Sequence, residues 1–256
     1  MRRTTVRRTA VAASAFSLAL LVGACGSKES AAKDEPKDKG SSSAPAAAPN
    51  AKALSQAELD KLMLTEADLK NHKIAGATPA DLAAAKTVTT DKAACKPLVD
   101  VMALRGTGTP AATATRKIVA IPQAPAADAS AEEKMKAGLG ALGATATADT
   151  LGSYDGKAAV DAFAALKKAG ADCAGGFALI AGGDTTKFTK VEPATYTAGD
   201  ESVAFTLTAD LDGTPGTAHL VVVRKGGTLA TFHAQSLAGK AEQPKGVIDA
   251  QVKKLG

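Results

Sequence analysis

The stretch that decides the fold is Ser202–Gln235, which reads SVAFTLTAD, LDGTPG, TAHLVVVR, KGG and TLATFHAQ in order. The first, third and fifth pieces place apolar side chains at alternate positions, as at Val203, Phe205 and Leu207. A period of two is typical of β-strands with one buried face. The second and fourth pieces are rich in glycine and other residues that favour turns. The sequence therefore predicts an antiparallel meander of three strands.

Burial predicts how the first two strands of this meander pair. If the alternating side chains of the first strand face the core, their partners on the second strand must face it as well. The expected pairs are Val203 with Arg224, Phe205 with Val222, and Leu207 with Leu220.

The turn between the second and third strands decides which side chains lie on the outer face. A three-residue turn at 225–227 would continue the buried face through Ala230 and Phe232. A two-residue turn would instead bury Thr231 and His233. Because apolar side chains gain most from burial, we expect the three-residue turn.

This register would bring three potential metal ligands together on the outer face. His219 would lie opposite His233, with Asp210 placed diagonally on the neighbouring strand. Imidazole and carboxylate groups bind zinc or copper. Polar side chains are also expected on a solvated face, and two adjacent imidazoles could instead respond to pH, since double protonation is disfavoured. We therefore predict no metal site and retain these three residues as weak candidates.

Helical patterns precede the meander and follow it. Ser55-Gln56-Ala57-Glu58 and Ser130-Ala131-Glu132-Glu133 are capping boxes, whose side chains satisfy free backbone N–H groups at a helix start. Pro97 suits the first turn of another helix, a fourth follows Asp155, and apolar spacing from Val247 predicts a closing helix. The order predicts an α+β domain, an antiparallel sheet with helices packed on one face. Shorter alternating segments predict further strands at 115–121, 145–154 and 187–191.

The first 25 residues have the parts of an export signal. Four arginines lie within the first eight residues, an uncharged run spans Thr9–Leu21, and Val22-Gly23-Ala24-Cys25 follows. The apolar run is shorter than the about 20 residues of a transmembrane helix. The ending resembles a bacterial lipobox, which implies cleavage before Cys25 and a lipid on its sulfur. An ordinary secretory signal with a stray cysteine is the alternative, and both the general secretory and the twin-arginine export routes are open.

These features divide the chain into three parts. Residues 1–24 are the predicted lipoprotein signal peptide. Residues 25–52 combine the lipid-anchored Cys25 with Ala, Ser, Pro and Lys and contain no large apolar side chain. We expect a disordered linker that spans about 30 Å on average. Residues 53–256 are long enough for one domain with a buried core, which we expect at the extracytoplasmic face of the cell membrane.

The basic charge of the whole chain comes from the predicted signal peptide. Lys and Arg number 31 against 26 Asp and Glu, a net charge of +5. Four of the arginines lie in residues 1–24, which leaves 27 basic against 26 acidic residues in the remainder. This balance gives no support to nucleic-acid binding. An aromatic content of 3% likewise disfavours stacking surfaces for single strands or sugars.

Three cysteines are present, at positions 25, 95 and 173. If Cys25 carries the lipid, Cys95 and Cys173 remain for an oxidising compartment, where disulfides persist. We expect these two to form a disulfide; two free buried thiols are the alternative. Structural zinc would need four ligands, and the sequence has no Cys-x-x-Cys pair.

No motif in the sequence predicts catalysis or a cofactor. Gly138–Gly143 matches the glycine pattern of a dinucleotide-binding loop, but a capped helix precedes it where a strand is needed. With three histidines and no recognisable grouping of Ser, His and Asp, hydrolysis has no visible machinery. We therefore expect no cofactor and no enzymatic activity.

Two segments, Gly199–Phe205 and Val221–Leu229, resemble a family of actinobacterial sensor domains. Leu62–Leu69 and the helices near the two later cysteines follow the same order. Over about residues 54–256 the chain is similar to the PknH-like extracellular domains, which occur on receptor kinases and on stand-alone lipoproteins. The resemblance implies an α+β fold with a central antiparallel sheet, a cleft for an unknown ligand and no catalytic residues. Family members often have two disulfides, whereas this chain can form one.

The expected function is that of a non-enzymatic cell-envelope lipoprotein with an extracytoplasmic ligand-binding or sensing domain. One alternative is a lipid or glycolipid carrier with an apolar cavity between sheet and helices. An unrecognised hydrolase is a second alternative. The expected partners are the membrane, through the lipid anchor, and an unknown small-molecule, lipid or protein ligand, with no nucleic acid.

Overall fold

The computed structural model describes residues 52–122 and 124–256. Within these ranges the helices are α1 (Gln56–Leu62), α2 (Pro79–Thr87), α3 (Lys96–Met102), α4 (Ala131–Leu142), α5 (Ala158–Asp172) and α6 (Lys245–Leu255). The strands are β1 (His72–Gly76), β2 (Thr89–Thr90), β3 (Ala112–Ala120), β4 (Thr145–Ser153), β5 (Phe177–Ala181), β6 (Asp184–Ala194), β7 (Glu201–Leu211), β8 (Thr214–Lys225) and β9 (Thr228–Ser236). None of these helices has the length and hydropathy needed to span a membrane.

The nine described strands form one sheet in the order β1-β3-β4-β9-β8-β7-β6-β5-β2. Every neighbouring pair is antiparallel. The predicted meander is present as β7, β8 and β9, and the strands predicted at 115–121, 145–154 and 187–191 correspond to β3, β4 and β6. The α+β class and the antiparallel sheet are confirmed.

Helices cover both faces of the sheet, whereas the sequence analysis placed them on one. On one face, α3 and α5 pack in a cluster that includes Leu220 and Val222 of β8. On the other face, α1 and α6 pack in a cluster that includes Val221 and Val223. Consecutive residues of a strand point to opposite faces. A run of four apolar residues in β8 therefore requires cover on both sides, which an alternating pattern alone does not reveal.

The β7–β8 register differs from the prediction by two residues. Val203 pairs with Val222 and Phe205 pairs with Leu220. The cause is a two-residue turn at Asp212 and Gly213, both of which have positive φ angles of 52° and 84°. Such turns match the twist of the flanking strands. Because the shift is an even number of residues, the predicted faces are kept.

The predicted three-residue turn between β8 and β9 is wrong. Lys225 pairs with Thr228, so the turn contains only Gly226 and Gly227. The one-residue difference moves Thr231 and His233 to a buried face, where they are 3% and 7% exposed. The prediction failed because it assumed one buried face, whereas residues of both parities in β9 are buried.

The predicted disulfide between Cys95 and Cys173 is present. Cys95 ends a single 3₁₀ turn, Ala93–Cys95, immediately before α3, and Cys173 follows the last residue of α5. Both cysteines are fully buried in the cluster formed by these two helices. The bond therefore fixes the helical layer on one face of the sheet.

The two predicted capping boxes begin α1 and α4, with both reciprocal hydrogen bonds formed. A third capping box, Thr78 with Asp81, begins α2 and was not predicted. Because α2 is rich in alanine and mostly exposed, it lacks the apolar stripe by which amphipathic helices are recognised. This helix contributes one wall of the site described next.

Candidate functional site

An open cleft of about 460 Å³ lies at the edge of the sheet beside the first half of β3. The edge strand β1 pairs with β3 only from Arg116 onward. α1, α2 and the segment after α3 surround the part of β3 that precedes Arg116. We call this site the Arg116 cleft and define it by Gln56, Leu82, Lys86, Arg105 and Arg116.

One wall of the Arg116 cleft is a face of α2. Leu82 and Lys86 are four residues apart in this helix and therefore lie on the same side of it. Leu82 is 44% exposed and lines the cleft, so part of an apolar side chain faces it. Lys86 is exposed, and no hydrogen bond or ion pair joins it to the described residues. The wall thus presents an apolar group beside a positive charge.

Arg105 has a structural role at the rim of the cleft. Its Nη2 lies 2.7 Å from Oδ1 of Asp100, a nearly buried carboxylate. Its guanidinium also donates to the carbonyl oxygens of Ala85, at 2.6 Å, and of Val88, at 3.2 Å. These carbonyls lie at the C-terminal end of α2, where a positive group is favoured. Arg105 therefore holds α2 in place.

Arg116 projects into the cleft without an ion-pair partner among the described residues. Its Nη1 donates a hydrogen bond of 3.1 Å to the carbonyl oxygen of the preceding Thr115. The same Nη1 lies 3.9 Å from the position that a Cβ atom on Gly76 would occupy. Because Gly76 pairs with Arg116 across the edge of the sheet, the guanidinium extends outward over β1.

A buried carboxylate lies on the other side of Arg116. Asp149 of β4 pairs with Arg116 across β3 and β4, and with Phe232 across β4 and β9. Asp149 is 0% exposed, and neither of its carboxylate oxygens has a hydrogen-bond partner within the described part of the protein. Burial raises the pKa of Asp149 well above its usual range, and the positive charge of Arg116 lowers it only in part. Asp149 is therefore held in its neutral form over a wide pH range.

A second open cleft, of about 480 Å³, lies at the start of α6. Lys240, Lys245 and Glu242 line it, so its charge is mixed. Pro244, which precedes the helix, provides no side-chain cap, and the first residues of α6, from Lys245 to Val247, line this cleft. Among the described residues, the buried polar side chains that lack a hydrogen-bond partner, Asp149 and His233, lie outside this cleft. We therefore assign no ligand to it.

The structure separates the three weak metal candidates. His219 lies in the α6 layer, where its ring contacts the Thr206 hydroxyl and the Ala241 carbonyl oxygen, at 3.4 and 3.2 Å. His233 pairs with Leu220 rather than with His219, and consequently faces the opposite side of the sheet. Burial lowers the pKa of both imidazoles, that of His233 to about 4.

Asp210 has a local role that its sequence position also suggests. Its Oδ1 accepts a hydrogen bond of 2.7 Å from the Gly213 backbone N–H, which stabilises the β7–β8 turn. No cluster of three or more potential metal ligands occurs in residues 52–122 and 124–256. Cys25, the predicted lipidation site, lies outside the described residues.

The two segments that carry the family resemblance meet in an ion-pair cluster around a buried arginine. Arg224 is 1% exposed; its Nη1 lies 3.2 Å from Oδ2 of Asp200, and its Nε lies 3.3 Å from Oε2 of Glu201. The same Asp200 oxygen accepts a bond of 2.7 Å from the Gly226 N–H. These residues join the start of β7 to the β8–β9 turn, so their role in this chain is structural.

Sequence reasoning missed Arg116, which lines the cleft, and Asp149, the buried carboxylate that pairs with it. Arg116 was recognised only as part of an alternating strand, and Asp149 as part of a weak one. An aspartate in the middle of a strand, flanked two positions away by Thr147 and Leu151, is itself a signal, since Asp is depleted in strands. What the sequence did not provide was the β3–β4 register that places the two side by side.

No family profile and no curated protein matches this sequence. Among solved structures, the extracellular domain of PknH from Mycobacterium tuberculosis is similar, with a TM-score of 0.47 and 11% identity over 80% of this chain and 96% of that one. An uncharacterised protein from Mycobacterium smegmatis is similar with a TM-score of 0.34 and 11% identity, over 78% of this chain and 94% of that one. Both scores lie below 0.5, so membership of the PknH-like family stays a prediction, and we base the function on this chain's own residues.

Proposed function

We propose that residues 53–256 form a non-enzymatic ligand-binding or sensing domain on the extracytoplasmic side of the cell membrane, with the Arg116 cleft as its ligand site. The observation that carries this proposal is one open cleft that combines an exposed Leu82 with a guanidinium that has no ion-pair partner among the described residues. Ligand sites are concave, largely apolar, and contain a few polar groups that orient the ligand. The volume of about 460 Å³ suits a small molecule.

The cleft gives little support to the hydrolase alternative. Hydrolysis by nucleophilic catalysis needs a nucleophile and a base within hydrogen-bond reach. The hydroxyl-bearing residues that line the cleft are Thr113 and Thr115, and the Thr115 hydroxyl lies 3.0 Å from that of Thr150 on a buried face. A screen against esterase, peptidase and glycosidase substrates should give no activity above the blank. Turnover that disappears in Thr113→Ala would contradict a purely binding role.

The carrier alternative would require an apolar cavity between the sheet and its helices. In the described residues, these two interfaces are filled by side chains such as Phe163 and Leu166 on one face and Ile248 and Phe232 on the other. A lipid with long chains would have to displace packed side chains, at a cost of several kcal/mol. The surface cleft needs no such rearrangement, which favours a small ligand.

Retention of a native ligand would test the site directly. The full chain is produced in an actinobacterial host, purified without detergent exchange, and weighed by native mass spectrometry. We expect a bound small molecule that is lost from Leu82→Asp, because the new carboxylate removes the apolar wall. Leu237→Asp is the matched control, since Leu237 is 91% exposed and lies outside the cleft. Equal retention by both variants would contradict the assignment of the cleft.

The membrane anchor is a separate part of the proposal and has its own test. We propose that Cys25 carries the lipid and that residues 25–52 tether the domain to the membrane. Cys25→Ser should move the protein from the membrane fraction to the culture medium and should remove the acyl mass from its N-terminal peptide. A mature protein that keeps residues 1–24, or an unmodified Cys25 sulfur in the wild type, would contradict the anchor and leave the binding site intact.

A further inference from the structure

We propose that the ligand of the Arg116 cleft is an anion with a short apolar chain, and that Arg116 is shared between this anion and the buried Asp149. Binding of the anion would then be linked to the ionisation of a carboxylate that the ligand never touches. This inference rests on the proposed function, because it names the ligand class of the same site.

The charges that face the cleft favour an anion. Lys86 comes from α2 and Arg116 from β3, whereas Asp60 of α1 is the acidic residue that lines the cleft. Asp60 already accepts a hydrogen bond of 3.3 Å from the Gln56 side chain. The fourth charged residue, Arg105, is neutralised by Asp100. The described cleft therefore has a surplus of positive charge, and Arg116 offers the fork of donors that binds carboxylate or phosphate groups.

The apolar part of the ligand is inferred from the walls. Leu82 and Leu104 line the cleft together with Ala77, Ala85 and Ala114. A short alkyl chain would cover the exposed part of Leu82 within a cleft of about 460 Å³. An anion without such a chain would leave this surface in contact with water, so we expect it to bind more weakly.

Arg116 has two alternative partners because of its place in the sheet. It lies between Gly76 of β1 and Asp149 of β4, on the same face of the sheet as both. Side chains directly opposite one another on antiparallel strands have Cβ atoms about 4.5–5.5 Å apart. Rotation about the Arg116 side-chain bonds would therefore carry the guanidinium from its position over Gly76 to the Asp149 carboxylate. In the outward position Nη1 lies beside Gly76, 3.9 Å from where a Cβ atom of this residue would be, which is an ordinary van der Waals distance.

The two positions of Arg116 exclude one another. With the guanidinium in the cleft, Asp149 has no hydrogen-bond partner and stays neutral, since an unpaired buried charge is very costly. When Asp149 ionises, its charge draws the guanidinium inward and away from the anion. By linkage, an anion that holds Arg116 outward must raise the pKa of Asp149 to the same extent that ionised Asp149 weakens the anion.

Other titratable groups do not account for such a linkage. On its neighbouring strands, Asp149 faces Arg116 and the uncharged Phe232. In the helices that pack on this face, Asp249 of α6 bonds to the Tyr196 hydroxyl, Lys254 bonds to Asp68, and Glu58 of α1 bonds to Ser55. The remaining charged residues of these helices, Asp60 and Lys61 of α1 and Lys245 and Lys253 of α6, are exposed.

The probe for this proposal is 1-octanesulfonate, because a sulfonate keeps its charge at every pH used. Its affinity for the purified mature protein is measured by isothermal titration calorimetry between pH 5 and pH 9. We expect the affinity to be highest at low pH and to fall as the pH rises through the pKa of Asp149. Methanesulfonate supplies the charged group alone and 1-octanol the chain alone, and each should bind at least tenfold more weakly.

Two variants test the roles of the two residues. Arg116→Gln should weaken octanesulfonate about tenfold or more, which corresponds to the loss of one charge-assisted interaction. Asp149→Asn cannot ionise, so its affinity should equal the low-pH value of the wild type and should not change with pH. Lys187→Gln, which removes an exposed positive charge on β6, is the matched control and should bind as the wild type does.

The wild-type protein provides a second measurement, so that the proposal can be tested even if a variant fails to fold. In nuclear magnetic resonance spectra, octanesulfonate should shift the amide signals of Gly76 and Arg116, and should raise the pH at which the Asp149 carboxyl carbon titrates. Equal binding by wild type and Arg116→Gln, or a pH dependence that persists in Asp149→Asn, would overturn the proposal.

Failure of this inference can be told apart from failure of the proposed function. A native ligand that is retained in the cleft but is neutral or cationic would refute the anion and leave the binding role standing. Octanol binding as tightly as octanesulfonate would have the same meaning. Absence of any retained ligand, together with no binding of octanesulfonate, would refute both.

Discussion

Two buried ionisable side chains lie on opposite faces of the sheet, and each is held in its neutral form. Asp149 of β4 lies on the α6 face, whereas His233 of β9 lies on the α5 face. Burial disfavours the charged form of both, which raises the pKa of the carboxyl group and lowers that of the imidazole. Their contributions to stability therefore depend on pH in opposite directions, and variants are needed to separate them.

Asp149→Asn should change how stability depends on pH. The pKa of Asp149 is higher in the folded than in the unfolded state, so folding takes up a proton at any pH between the two values. The contribution of Asp149 is fully present below about pH 4 and is lost as the pH rises toward the folded pKa. We expect the variant to be more stable than the wild type at neutral pH and the difference to shrink toward pH 4.

Urea unfolding across this pH range measures the effect. Asp184→Asn is the control, because Asp184 is exposed at the start of β6. If the unfolding free energy of Asp149→Asn changed with pH in parallel with that of the wild type, Asp149 would have the same pKa in the folded and unfolded states. This outcome would contradict its neutral form in the fold.

His233→Gln should act with the opposite sign. The imidazole has a pKa of about 4 in the folded protein against 6.5 for the ordinary value. The unfolded chain therefore binds a proton that the folded protein does not, and stability is lost as the pH falls from 6.5 to about 4. The shift corresponds to roughly 3 kcal/mol at pH 4.

The measurement for His233→Gln is the difference in unfolding free energy between variant and wild type at pH 7 and at pH 4.5. Gln cannot be protonated, so the variant should gain relative to the wild type at the lower pH. His72→Gln provides the comparison, since His72 is only half-buried in the edge strand β1. The same gain in both variants would assign the effect to something other than burial of His233.

At the scale of elements, two helices use glycine for different reasons. Gly170 in α5 lies against Phe205 of β7, and a Cβ atom there would come within 2.1 Å of the phenyl ring. Gly138 and Gly140 in α4 have no atom within 4 Å of the corresponding position. The first glycine therefore permits close packing of helix on sheet, whereas the other two only weaken an exposed helix.

This contrast gives a paired prediction. Gly170→Ala should lower the free energy of unfolding by about 1–3 kcal/mol, because the added methyl group overpacks the interface with Phe205. Gly140→Ala should raise it by up to about 1 kcal/mol, which is the ordinary gain from replacing glycine in a helix. Thermal unfolding of both variants measures whether the free energy of unfolding falls in the first and rises in the second. A gain in both would mean that Phe205 moves away without cost.

For the whole molecule, the sequence predicted those features that depend on local pattern. The capping boxes at Ser55 and Ser130 and the meander were recognisable because each depends on residue type and short spacing. The disulfide was recognisable for a different reason, since only two cysteines remain when Cys25 carries the lipid. Register was predicted less well, since β8 and β9 are buried on both faces and alternation no longer distinguishes them. The sequence analysis therefore placed His219 and His233 together when they lie on opposite faces.

The candidate site has no signature in the sequence alone. It depends on α2, which lacks an apolar stripe, and on the pairing of Arg116 with Asp149, which are far apart in the chain. Asp149 is unusual as an aspartate in the middle of a strand, but only its pairing with Arg116 in the sheet gives the two residues a joint role. A functional residue of this sort becomes recognisable when the register of its strand is known.

The stability of the whole domain should depend strongly on whether its surroundings are oxidising, because of the disulfide. Cys95 and Cys173 are separated by 78 residues, and the bond joins the start of α3 to the end of α5. Loop-closure entropy predicts that the bond stabilises the fold by about 4.5 kcal/mol, mainly by restricting the unfolded chain. The Cys95→Ala, Cys173→Ala double variant should lose about this amount of unfolding free energy in urea, and reduction of the wild type should have a comparable effect.

Since the two alanines also remove buried sulfur atoms, the comparison of oxidised with reduced wild type isolates the bond itself. Equal stability of the oxidised and reduced protein would mean that the packing of α3 against α5 holds this layer without the bond, and that the domain does not depend on an oxidising compartment.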